Sequence, residues 1–183
     1  MSVEKHIDRL VELADNLKSI YREIGAKRES WEKYLKPLIL QTFRLVQKKV
    51  ALNLKIVEIN EIRNLEAIRL TFGYLNSGLF VEKKKHKQEI PPMVLIKKGG
   101  YLSYSQTANG KISVFIHFPY IEDIYGRPDH ILEIDLLSPE EISKELIFIH
   151  VEQFLDEIIK WEKEEKKLIG FHTGSPQKIP KKR

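Results

Sequence analysis

Acidic and imidazole side chains crowd into residues 117–135: His117, Glu122, Asp123, Asp129, His130, Glu133 and Asp135. Carboxylates and imidazoles that converge can hold Mn, Zn or Mg, or can trade protons with a substrate. The connection 119–129 is long enough to carry His117 towards Asp123 or His130. His117, Asp123, Asp129 and His130 are therefore the candidate metal set, and a metal-dependent hydrolase is the activity they would serve. A plainer reading exists, because residues 125–129 (Tyr-Gly-Arg-Pro-Asp) spell a turn whose acids face water.

A second group is cationic. Lys83, Lys84, Lys85, Lys87, Lys97 and Lys98 stand against Glu82 and Glu89 within residues 82–98. Such a rim would follow a phosphate backbone, with Phe80 or Tyr101 as stacking groups, and would suit a nucleic-acid-associated accessory protein. Lysines on a strand edge also discourage sheet-to-sheet aggregation. Segment 82–98 carries +4 and segment 122–135 carries −4. Opposed patches of that size can meet inside one molecule or across a two-fold interface. A third group is small and hydroxylic. Ser103, Ser105 and Thr107 alternate along one strand, and beside Ile112, Val114 and Ile116 they would line a pocket for a partly apolar ligand. Small residues at those positions would equally let a helix pack closely. The triplet Glu82-Lys83-Lys84 has the acid-x-lysine form of metal-dependent nucleases, but such a site needs an upstream acid on a neighbouring strand. No aspartate lies between Asp15 and Asp123, which leaves Glu58, Glu61 and Glu66.

Other chemistries are excluded. The 183 residues contain no cysteine, so disulfides, thiolate zinc sites and cysteine nucleophiles are absent. No Walker, dinucleotide-binding, nucleophile-elbow or zincin motif occurs. No cofactor is implied. No apolar run approaches the roughly 20 residues of a membrane helix. The N-terminus lacks a signal-type apolar segment and carries Glu4, Asp8, Glu12 and Asp15, so the expected location is the cytoplasm. The net charge of +5 is mostly a tail property. Lys178, Lys181, Lys182 and Arg183 contribute four of the five charges.

These groups need elements to position them. Val3, Ile7, Leu10, Ala14, Leu17, Tyr21 and Ile24 recur at alternating spacings of four and three, a heptad stripe on one helix. Gly25 reads as its stop, and Ser30 as the cap of a second helix over 31–50. Pro37 must kink that helix or mark its true start. The expectation over 1–50 is a helical hairpin. From Leu52 the period changes to that of strands, at 54–60, 65–72, 78–84, 93–97, 101–107, 111–118 and 130–136. Ala108-Asn109-Gly110 marks a hairpin tip, read as a two-residue type I′ turn with Thr107 opposite Ile112. Ser138-Pro139-Glu140-Glu141 has the form of a capping box, so a long helix is expected from 138 to about 168. Residues 170–183 read as a flexible basic tail.

The resulting fold class is α+β: an N-terminal helical hairpin (1–50), a mostly antiparallel sheet of five or six strands (52–136) and a long C-terminal helix packed on it, all within one domain over 1–169. The expected function is that of a non-enzymatic binding or scaffolding protein acting through protein–protein contacts, as a homodimer. Its contact residues would be Val3, Ile7, Leu10, Leu17 and Tyr21 of the heptad stripe.

Overall fold

The computed structural model describes residues 3–81, 93–121 and 131–163. Helix α1 (Val3–Ser30) runs without a break into a π-helical turn (Trp31–Leu35) and on into α2 (Lys36–Lys49). The N-terminal region is thus one rod of 47 residues, not the expected hairpin. Gly25 does not stop it. A helical glycine costs about 1 kcal/mol relative to alanine, and the helix-forming residues on both sides outweigh that. Pro37 neither breaks the rod nor starts it. The Lys36 N–H bonds to the Trp31 carbonyl, five residues back, so the turn widens just ahead of a residue that has no N–H to give.

The strands form two sheets rather than one. The larger contains β1 (Lys55–Ile59), β2 (Ala67–Thr71), β5 (Tyr101–Gln106), β6 (Ile112–His117) and β8 (Ile131–Leu137), in the order β1-β2-β5-β6-β8. The smaller contains β3 (Tyr74–Val81), β4 (Met93–Lys98) and β7 (Tyr120–Ile121). Every pairing is antiparallel. Gly99 and Gly100 carry the chain from one sheet to the other. The Gly99 N–H donates to the Gly73 carbonyl, and a Cβ on Gly99 would lie 2.6 Å from that of Phe72.

One face of the five-stranded sheet is the core. Ile68, Leu70, Leu102, Tyr104, Val114 and Ile116 meet Trp31, Leu35, Ile39 and Phe43 of the rod there. The C-terminal helix α3 (Lys144–Lys163) adds Ile147, Val151, Phe154 and Ile158. The expected helix from 138 starts late. Pro139–Glu141 makes only a 3₁₀ turn, closed by the Glu141 carboxylate accepting the Ser138 N–H at 2.6 Å. Ile142 is then extended and buried in the core. Ser143 starts the α-helix proper, its hydroxyl accepting the Leu146 N–H.

The β5–β6 hairpin is also shifted from its expected register. Thr107 pairs with Lys111 around the three-residue loop Ala108-Asn109-Gly110, and Gly110 has φ +78°. This is a turn plus a left-handed residue, which glycine favours, not a two-residue turn. Consequently Gln106 faces Ile112, Tyr104 faces Val114 and Leu102 faces Ile116. Ser103 and Ser105 face Phe115 and Ser113 on the other side of the sheet. A one-residue slip moves a whole strand's side chains to the opposite face. The hydroxyls therefore do not sit beside the aliphatic strip.

Candidate functional site

A run of exposed large hydrophobic side chains lies along α1: Val3, Ile7, Leu10, Leu13, Leu17, Ile20 and Tyr21. None of its residues is buried. Leu10 is 64% exposed and Tyr21 63%, and Val3, Ile7 and Leu17 are exposed as well. Among the described residues, the helix is anchored to the rest of the protein near its C-terminal end. There Arg28 Nη2 donates to the Ala108 carbonyl at 3.0 Å, and Gly110 lies so close that a Cβ would meet the Ile24 carbonyl at 3.2 Å. Residues 3–23 extend beyond that anchor, about 30 Å of helix at 1.5 Å per residue.

The surface has a defined shape. In heptad terms Ile7, Ala14 and Tyr21 occupy a positions, and Val3, Leu10, Leu17 and Ile24 occupy d positions. Leu13 and Ile20, also exposed, fall at g and widen the seam on one side. The opposite face mixes signs: Lys5, Asp8, Arg9, Glu12, Asp15, Arg22 and Glu23. Lys18 pairs with Asp15 at 2.8 Å on the exposed surface.

No protein-family model, curated protein or solved structure matches the chain.

The acid–imidazole constellation is divided by the sheet. Asp135 stands opposite Val114 on the core side, whereas His117 stands beside Tyr101 on the other. His117 Nδ1 lies 2.8 Å from the Phe118 carbonyl oxygen. Glu133 pairs with Phe115 and is exposed. Glu122, Asp123, Asp129 and His130 lie outside the described residues. Among the described residues no group of three or more acids and histidines could hold a metal ion.

Asp135 has a different partner, which the sequence analysis did not single out. His150 Nε2 lies 3.0 Å from Asp135 Oδ2, and His150 Nδ1 lies 2.7 Å from the Tyr104 hydroxyl. Tyr104 and His150 are buried, and Asp135 leads the chain of contacts to the surface. Burial, reinforced by the Asp135 charge, pushes the Tyr104 hydroxyl far above its ordinary pKa, so it remains a neutral phenol. A substrate has no route to a phenol buried between sheet and helices, so the trio is a structural tie. Tyr104→Phe should cost about 1–2 kcal/mol in urea unfolding, because His150 Nδ1 loses its partner in a dry site. The signal was present in the sequence: position 150 falls on the apolar stripe of α3, and a polar group there needs an internal partner.

Of the lysine rim, Lys83, Lys84, Lys85 and Lys87 lie outside the described residues. Lys97 is engaged within the molecule, pairing with Glu162 of α3 at 2.7 Å and lying 5.7 Å from the Trp161 ring centroid. Lys98 lies 5.5 Å from the Tyr120 ring centroid. Ser103 is buried and shares a hydrogen bond with Ser105 at 3.0 Å. The Thr107 hydroxyl donates to Asn109 Oδ1 at 2.6 Å and serves the hairpin tip.

Proposed function

We propose that this is a non-enzymatic binding or scaffolding protein that self-associates through α1 as a homodimer. The observation that carries the reading is the continuous heptad stripe left uncovered on an extended helix. Isolated helices of such length are marginal in water, and most helical stability in proteins comes from a packed apolar face. The mixed charge on the far side distinguishes α1 from a membrane-surface helix, which would carry a lysine- and arginine-rich polar face.

A second copy of α1 fits the stripe best when antiparallel. In that register Ala14 faces Leu17 of the second copy, Leu10 faces Tyr21, and Ile7 faces Ile24. Small residues meet large ones, as a well-filled seam requires. Leu13 then lies against Ile20, which uses the apolar g positions. A parallel pair would set Ala14 against Ala14 and leave a void. It would also place the two globular bodies at the same end.

The chain has no native cysteine, so disulfide trapping is clean. The double variant Leu13→Cys/Ile20→Cys should form covalent dimers rapidly on mild oxidation, while each single variant should do so poorly. Efficient trapping of the single variants Ala14→Cys and Leu17→Cys, at core positions that meet their own copies only in a parallel pair, would indicate parallel helices. A wild-type mass that stays monomeric in sedimentation equilibrium across the micromolar range would refute self-association itself.

A further inference from the structure

The face of the large sheet turned away from the core holds a row of stacked groups. The Arg69 guanidinium lies 4.4 Å from the Tyr101 ring centroid. The Tyr101 and His117 rings stack at 4.8 Å with 10° between their planes. The Tyr120 ring follows at 5.6 Å from His117. Register explains the row. Tyr101 on central strand β5 pairs directly with His117 on β6, and with Thr71 on β2, two residues from Arg69.

This row borders a cavity of about 650 Å³ that also meets the small sheet at Tyr74, Lys98 and Gly99. Two observations set its chemistry. Arg69 Nε is buried and has no hydrogen-bond partner among the described residues. Arg69 lines the cavity, and no carboxylate appears among the described residues that line it. A guanidinium always carries its charge, and a buried N–H of that group calls for an acceptor. The wall also carries Val57, Tyr101, Tyr120 and Ile131, with the polar side chains of Thr71 and His117 between them. Its size lies within the range of small-molecule sites.

We infer that this cavity binds a small organic anion, with a carboxylate or phosphate head on Arg69 and a compact apolar body against the tyrosines. Arg69 supplies a planar fork suited to either head group. Tyr101 is covered by Arg69 on one face and His117 on the other, so it orients the guanidinium and does not stack a ligand ring. The site is distinct from α1 and does not depend on self-association.

The test is calorimetric titration of the full chain with phenyl phosphate, phenylacetate and inorganic phosphate, on wild type, Arg69→Met and Arg69→Lys. Methionine keeps the stem over Tyr101 and removes the charge. One of the two aromatic anions should bind wild type, and Arg69→Met should weaken it about 10- to 100-fold, the loss expected for a charge-assisted contact. Arg69→Lys should retain part of the affinity. The preferred head group is read from which aromatic anion wins. Thermal unfolding of Arg69→Met at or above the wild-type midpoint would show that the fold is intact. Equal affinity of wild type and Arg69→Met would overturn the assignment. So would the failure of both aromatic anions to bind at millimolar concentration, or inorganic phosphate binding as tightly as phenyl phosphate.

Discussion

Replacing Leu10 and Leu17 by glutamate should convert the proposed dimer to a monomer without weakening the fold of either chain. Both side chains are exposed and touch nothing in the core. In an associated pair each would be buried, and burying a leucine contributes about 1.5–3 kcal/mol. Two positions on two chains, replaced by four carboxylates along one seam, should raise the dissociation constant at least about 1000-fold. Sedimentation equilibrium would read the mass, and chemical unfolding of the monomer would read the fold. The expected pair of results is a lost dimer with an unchanged slope of unfolding against denaturant for the globular part. A dimer that survives the double change would place the interface elsewhere. A monomer that no longer folds would show that α1 is covered by its own chain, contrary to the exposure of its stripe.

The stripe on α1 could be read directly from residue spacing, but its lack of a cover could not. A heptad pattern is the same whether the partner is the protein's own sheet or a second copy. The rod was obscured by Gly25 and Pro37, both local signals of termination. Here the core decided otherwise: Trp31, Leu35, Ile39 and Phe43 are all buried on one side, and their burial favours one continuous helix across the proline. The hairpin was legible from Asn109-Gly110, but the register was not, because the same dipeptide fits a two- or a three-residue loop. That single choice decides whether Tyr104 or Ser103 faces the core. Arg69 gave no motif at all. Its one trace is the alternation of β2, where Ile68 and Leu70 point inward and Arg69 must share the other face with the Tyr101 side of β5.

Lys36→Met should destabilise the globular part of the protein by about 3 kcal/mol at neutral pH, and it should reverse the pH dependence of a buried carboxylate. Glu66 joins the rod to the sheet. Its Oε2 accepts from Lys36 Nζ at 2.7 Å and from Trp31 Nε1 at 3.4 Å. Its backbone exchanges hydrogen bonds with Gln106, Glu66 N–H to Oε1 and Gln106 N–H to the Glu66 carbonyl. Burial draws the Glu66 carboxyl upward in pKa, but the bonds from Lys36 and Trp31 and the Lys36 charge outweigh it, leaving it below the usual value. Neighbouring Glu32 is pushed the other way, by its own burial and then by the Glu66 charge. A depressed carboxyl stabilises the fold above the ordinary carboxylate range, and that contribution is lost as pH falls through the lowered value. Methionine retains the packing of the lysine stem but removes the charge and the bond that Lys36 gives Glu66. Breaking such a pair from one side costs about 3 kcal/mol. Burial then dominates, so the Glu66 pKa should rise above its unfolded value. The sign follows: Glu66 of the variant should return stability as pH falls through that raised value, where the wild-type Glu66 returns none. Urea unfolding at neutral pH and at the upper edge of the carboxylate range, followed by Trp31 fluorescence, would measure both effects. A stability deficit that does not narrow on acidification would show that lost packing, not the stranded Glu66 charge, is what the substitution costs.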